Sequence, residues 1–192
     1  MSRDATLAQN TMFKCQVSSV PRAARLLSYR GFSSQAVFPR DLEQEKHAKR
    51  FIGTWRLRTG DFSYVHPIAE HKVADDTYTI SFRPEVEGKM CFHIKSIFPN
   101  GKEVITQYEG VPGSDVPFEP KEVADFMRTT AAPQILKSQA WKDGAILVNA
   151  LRVLNPDGKS MRVVMDIPAP PDYQYNDPTI TVSCTYDKQE EL

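Results

Sequence analysis

The sequence predicts an all-β fold: an antiparallel up-and-down β-barrel of about eight to ten strands, with a short N-terminal helix and one further short helix near 119–130. Three observations carry this. Beyond residue 50 the apolar residues recur mostly at period two, or in short mixed runs, and not at 3.6. Strand-length runs follow one another at regular spacing, punctuated by turn chemistry at "NG" (100–101), "KDG" (142–144) and "NPDG" (155–158). The 192 residues, 41% of them apolar, amount to one domain with a single core.

Taken in order, "DLEQEKHAKR" (41–50) is polar and helix-prone, with Glu43–His47 and Glu45–Lys49 as i,i+4 pairs. It reads as a short solvated helix leading into the barrel. "FIGTWRLRTG" (51–60) is the first strand, with Trp55 near its start. "DTYTISFRP" (76–84) sets Tyr78, Ile80 and Phe82 against Thr77, Thr79 and Ser81. "KMCFHIKSIF" (89–98) sets Phe92 and Ile94 against His93 and Lys95, and "NG" returns the chain into "KEVITQYEG" (102–110). In "EPKEVADFMRTT" (119–130), Pro120 suits a first helical position, and Val123, Phe126 and Met127 share one stripe. The later strands are "PQILKSQAW" (133–141), "AILVNALRVL" (145–154), "MRVVMDI" (161–167) and "TITVSCTYDK" (179–188). In the last of these, Ile180, Val182, Cys184 and Tyr186 share a face. "IPAPPDYQYNDPT" (167–179) is a Pro-rich loop, long for a hairpin, whose Tyr173 and Tyr175 suit a protein interface.

The N-terminal region differs in kind. From Ala5 to Arg40 there is no Asp or Glu, and the span is rich in Arg and Ser. That is the pattern of a transit peptide, and "SVPRAARLLSYR" makes a basic amphipathic helix. "RGFSS" matches a mitochondrial processing pattern with cleavage after Phe32. The expected organisation is therefore a transit peptide over 1–32, a linker and short helix over 33–50, the barrel over 51–188 and a tail over 189–192, with a mitochondrial matrix destination. A disordered basic tail is the alternative. The whole chain has no formal net charge; without residues 1–32, 19 basic and 23 acidic residues remain. No overall field recruits nucleic acid, and no apolar run is long enough to span a bilayer.

"FIGTWRL" is similar to the opening strand of the intracellular fatty-acid-binding proteins, within the lipocalin-like (calycin) superfamily. "WKDGAILVNALRVLNPDGKSMRVVMDI…TITVSCTYDK" resembles their last three strands: a Trp-Asp-Gly hairpin, a second Asp-Gly hairpin, then Tyr, an acid and Lys. The resemblance covers about residues 48–188. It implies a barrel of about ten strands that carries a fatty acid or related lipid in its lumen. An acyl chain gains about 0.8 kcal/mol per buried CH₂. Ligand contacts are expected from Trp55, Tyr78, Phe82, Phe92, Ile94, Arg152, Val182, Cys184 and Tyr186, although core packing is the plainer role for the hydrophobic ones. Family members often hold the carboxylate with an Arg-x-Tyr pair in the last strand, helped by an arginine two strands earlier. Tyr186 matches the Tyr, but Cys184 stands where the Arg would be, which favours a neutral or less anionic lipid. Arg152 lies near the earlier arginine's place. Extra residues in both flanking turns shift the match: an ungapped alignment to the family from Asp143 points at Leu151 and one from Asp157 points at Val153, so Arg152 is either a lumen residue or a solvated strand arginine. The family's helical lid has no two-helix counterpart in 61–75.

No cofactor motif is present. His47, His66, His71 and His93 are not at metal-ligand spacing, "GVPGSD" lacks the Gly-Lys-Ser/Thr of a phosphate loop, and no Gly-x-Ser-x-Gly occurs. Neither catalysis nor a metal is expected. The expected function is mitochondrial transport of a hydrophobic small molecule, with a protein partner at the 167–179 loop as a further possibility. The alternative is a non-catalytic accessory subunit of a mitochondrial assembly that has kept a lipid-binding fold and filled its cavity.

Overall fold

The computed structural model describes residues 39–64, 73–83, 88–119, 121–168 and 179–190. The expected transit peptide, most of the Pro-rich loop and the centre of the expected lid region lie outside them.

A seven-residue helix, α1 (Leu42–Ala48), starts the described chain; the side chain of Asp41 caps it by accepting from the Gln44 N–H at 3.1 Å. A 3₁₀ turn, Lys49–Phe51, leads into ten antiparallel strands. They are β1 (Gly53–Tyr64), β2 (Asp75–Phe82), β3 (Met90–Ile97), β4 (Glu103–Gly110), β5 (Ser114–Pro117), β6 (Phe126–Ala132), β7 (Ile135–Lys142), β8 (Ala145–Leu154), β9 (Ser160–Pro168) and β10 (Thr179–Lys188). The hydrogen-bonded order is β4-β3-β2-β1-β10-β9-β8-β7-β6-β5, so first and last strands pair and every other neighbour is consecutive. That is the expected up-and-down barrel. It is nearly closed, with β4 and β5 as its two edges.

At the Gly110 end of the gap, the link between β4 and β5 is fastened to β6. Pro112 bridges Thr129, and the Gly113 N–H donates to the Thr129 carbonyl at 2.8 Å. A Cβ on Gly110 would stand 2.2 Å from the Thr129 hydroxyl, so only glycine lets the strands approach this closely.

Two expectations are corrected. Residues 119–130 are not a helix: a turn at Lys121–Val123 leads into β6. Pairing outweighs the helical stripe here. Phe126 stacks on Trp141 with ring centroids 5.8 Å apart, Met127 faces Ala140, and Arg128 forks onto Asp115 at 2.6 and 2.7 Å. The helix α1 is not merely solvated either. Ala48 and Phe51 are fully buried, Glu45 nearly so, and Gln44 accepts the Ala131 N–H at 2.9 Å. It closes one end of the barrel.

Candidate functional site

Each strand sends alternate residues inward, and burial grades along the barrel axis. At the α1 end the lumen is filled by Phe51, Trp55, Ile80, Met90, Leu136 and Met161, none more than 1% exposed. Trp55 Nε1 donates to the Phe51 carbonyl at 2.9 Å and fixes this floor. Towards the other end three inward rows lose burial while β10 keeps it: Phe92 is buried and Ile94 only half so; Val163 is buried and Met165 half so; Tyr108 is half-buried and Thr106 is exposed beside the β4–β5 gap; Val182 and Ile180 stay buried.

Between the two lies a polar layer built around Arg152 of β8, which is 0% exposed. Its guanidinium spans the lumen. Nε donates to the Tyr78 phenol oxygen at 3.1 Å, and Nη2 donates to both the Tyr78 and the Tyr108 oxygens. Nη1 donates to Ser138 Oγ at 3.1 Å and to the Ala150 carbonyl at 3.4 Å. The Tyr78 and Tyr108 oxygens are 2.9 Å apart. The guanidinium also lies 5.1 Å from the ring centres of Tyr78 and Phe92. All five N–H donors are therefore used, yet no carboxylate among the described residues pairs with the charge. Burial works against the charged form, but the Tyr108 and Tyr78 oxygens outweigh it and hold the Arg152 pKa above its ordinary value. The same burial holds Tyr78 well above the usual phenol range.

A second, acidic pole sits beside this layer. Tyr186 Oη donates to Asp76 Oδ2 at 2.5 Å, Ser96 Oγ donates to Asp76 Oδ1 at 3.0 Å, and Cys184 Sγ donates to Tyr186 Oη at 3.6 Å. The Tyr78 and Tyr186 rings meet edge-on at 5.8 Å, separating the two poles. Burial raises the Asp76 pKa above its ordinary value, more than the Tyr186 and Ser96 hydrogen bonds lower it. Burial also lifts the Tyr186 phenol well above its usual range.

All nine expected ligand residues face inward. Trp55 and Phe82 belong to the floor. Tyr78, Phe92, Arg152, Cys184 and Tyr186 belong to the polar layer or its wall, and Ile94 and Val182 lie beyond it. The structure decides the orientation of Arg152 for the lumen. Four members of the layer were not anticipated: Asp76, Tyr108, Thr129 and Ser138. A two-residue turn at Asn100-Gly101 would pair Phe92 with Glu109; the loop is the three residues 99–101, closed by Phe98 and Lys102, and that shift of one places Tyr108 opposite Phe92 on the inward face. Thr129 faces Ser138 across β6 and β7 and is fully buried, with no hydrogen-bond partner for its hydroxyl among the described residues. No group of three potential metal ligands occurs among the described residues.

No family model matches the chain, and no curated protein matches it. Solved structures do. The chain is similar to the fluorescent protein UnaG (15% identity, TM-score 0.46, covering 74% of this chain and 99% of that one). It is similar to a secretory abundant heat-soluble protein of Ramazzottius varieornatus (9%, 0.45, 73% and 96%) and to apo lipid binding protein 8 of Caenorhabditis elegans (12%, 0.44, 73% and 96%).

Proposed function

We propose that this protein binds and carries a hydrophobic small molecule with an anionic headgroup, a fatty acid or related lipid, in the half of its barrel beyond the Arg152 layer. The observation that carries the reading is the fully buried Arg152, whose charge meets only neutral oxygens. Burying an ion costs several kcal/mol, and a carboxylate usually compensates it. Here the compensating charge is left to the ligand. The half-buried Ile94 and Met165 beyond the layer offer an apolar wall for the chain of such a molecule. Cys184 in place of a second arginine leaves one cation in the polar layer, which suits a monoanion. The role is carriage and not catalysis, and the acid-free, Arg- and Ser-rich N-terminal stretch supports a mitochondrial setting.

Titration of the purified protein with a fluorescent long-chain fatty acid tests this. Saturable binding of one molecule per chain, displaced by an unlabelled fatty acid, is the expected result. Absence of saturable binding would reject the carrier. It would favour the accessory-subunit reading, for which the fully packed floor is the specific observation.

A further inference from the structure

Counting donors and acceptors in the polar layer distinguishes its members in a way that the charge alone does not. Tyr78 Oη accepts from both Nε and Nη2 of Arg152, which occupies its two lone pairs. Its own proton must then go to the oxygen 2.9 Å away, that of Tyr108. Tyr108 Oη accepts this bond and one from Arg152 Nη2, so its lone pairs are filled as well. One proton is left over: the Tyr108 O–H has no acceptor among the described residues.

The positions of the three side chains match this count. Arg152 is 0% exposed, Tyr78 is 1% exposed, and neither can meet a ligand without breaking an existing bond. Tyr108 is half-buried, lies on the edge strand β4 next to the gap, and follows the exposed, inward-facing Thr106 on the same strand. Its ring is fixed by stacking on Phe92, with centroids 4.6 Å apart and planes 13° from parallel. A rigid hydroxyl with an unused proton, polarised by a buried cation through a chain of hydrogen bonds, is a donor prepared for an anionic oxygen.

We infer that Tyr108 is the residue that touches the ligand's acid group, donating its hydroxyl proton in a hydrogen bond to a carboxylate oxygen, and that Arg152 acts through it as a positioning and polarising residue. The inference rests on the carrier reading above and assigns the specificity of the same site. The ligand class it selects is a monoanionic amphiphile whose headgroup accepts without donating, and the neutral alcohol of the same chain is discriminated against.

Decanoate and decanol, each competing with a fluorescent fatty acid, give the test. In wild type, decanoate binds more tightly than decanol. Tyr108→Phe keeps the ring on Phe92 and removes only the hydroxyl. It is expected to weaken decanoate about tenfold, the worth of one charge-assisted hydrogen bond, and to leave decanol within twofold. In wild type labelled with ¹³C-tyrosine, the Tyr108 ring resonance shifts on adding decanoate and stays in place with decanol. Decanoate binding that is unchanged or tightened in the variant overturns the inference and leaves the carrier standing, as does equal affinity for acid and alcohol in wild type. If neither compound binds any form of the protein, the carrier and the assignment fall together.

Discussion

Replacing Arg152 by methionine separates the two roles a buried guanidinium can have, structural strut or anchor for a ligand's charge. The magnitude for the anchor follows from the geometry. A ligand oxygen bonded to Tyr108 stands two hydrogen-bond lengths from Nη2, about 6 Å, and an effective dielectric of about 20 gives about 2.8 kcal/mol between unit charges at that distance. Arg152→Met is therefore expected to weaken decanoate about a hundredfold. Decanol binding should change little. Stability responds to opposed terms. Hydrogen bonds to Ser138, to the Ala150 carbonyl and to the two phenols are lost, while the cost of desolvating an unpaired cation is relieved and the Tyr78–Tyr108 bond survives. The unfolding free energy should change by less than about 2 kcal/mol in either direction, because buried charges are often replaced by apolar groups without net loss. Urea unfolding followed by tryptophan fluorescence, with Trp55 buried in the floor as reporter, measures one term, and competition titration measures the other. A variant that loses its fold, or one that folds and binds decanoate as wild type does, would show the guanidinium to be a strut and remove the physical ground for an anionic ligand.

Two further outcomes concern the layer's surroundings. Burial holds the folded-state pKa of Asp76 above that of the unfolded chain, so the folded protein binds the extra proton between the two values and the Asp76 contribution to stability falls as pH rises through that window. Asp76→Asn removes this component: wild-type stability minus variant stability should decline from pH 4 to 7 in urea titrations, and a flat or rising difference would contradict the burial argument. At the seam, Gly110→Ala should cost about 1–3 kcal/mol, because its Cβ would meet the Thr129 hydroxyl at 2.2 Å. Thr129→Ala alone should be near neutral because that hydroxyl has no partner among the described residues, and the double variant should recover at least about 1 kcal/mol of the loss; additive costs would show the contact to be irrelevant.

The architecture was legible wherever local pattern and long-range pairing agree. The runs at 145–154 and 179–188 became β8 and β10 at those bounds, because turn chemistry set their ends and alternation set their faces. The Asp143-Gly144 turn keeps both residues at positive φ, 49° and 78°, as a hairpin of this kind demands. Pattern failed where the deciding contact is distant. Val123, Phe126 and Met127 are spaced for a helix, yet Trp141, Ala140 and Asp115 on neighbouring strands take Phe126, Met127 and Arg128 into β6. The polar composition of 41–50 hid the burial of Glu45 for a similar reason. Its carboxylate makes the expected i,i+4 pair with Lys49 at 3.3 Å, but the pairing with Arg40 at 2.6 Å, ahead of the helix, is not visible in helical spacing.

The orientation of Arg152 is the most instructive case, because the sequence leaves it open between lumen and surface and one visible residue decides it. Between Ala140–Val148 and Trp141–Ile146 the β7–β8 register skips Leu147, a bulge that inverts the parity of every β8 residue beyond it. Without the bulge, alternation across the hairpin would put Leu151 on the face that Arg152 takes. Beyond the bulge the alternation is regular: Ala150, Arg152 and Leu154 are buried, and Leu151 and Val153 are less so. The same parity brings Arg152 opposite Val163 of β9 and Leu136 of β7, in the layer that Tyr78 and Tyr108 reach from the far wall. One bulged residue thus decides whether the chain carries a cation inside its barrel or on its surface. It leaves no mark in composition, because any residue whose side chain suits the outer face can occupy it.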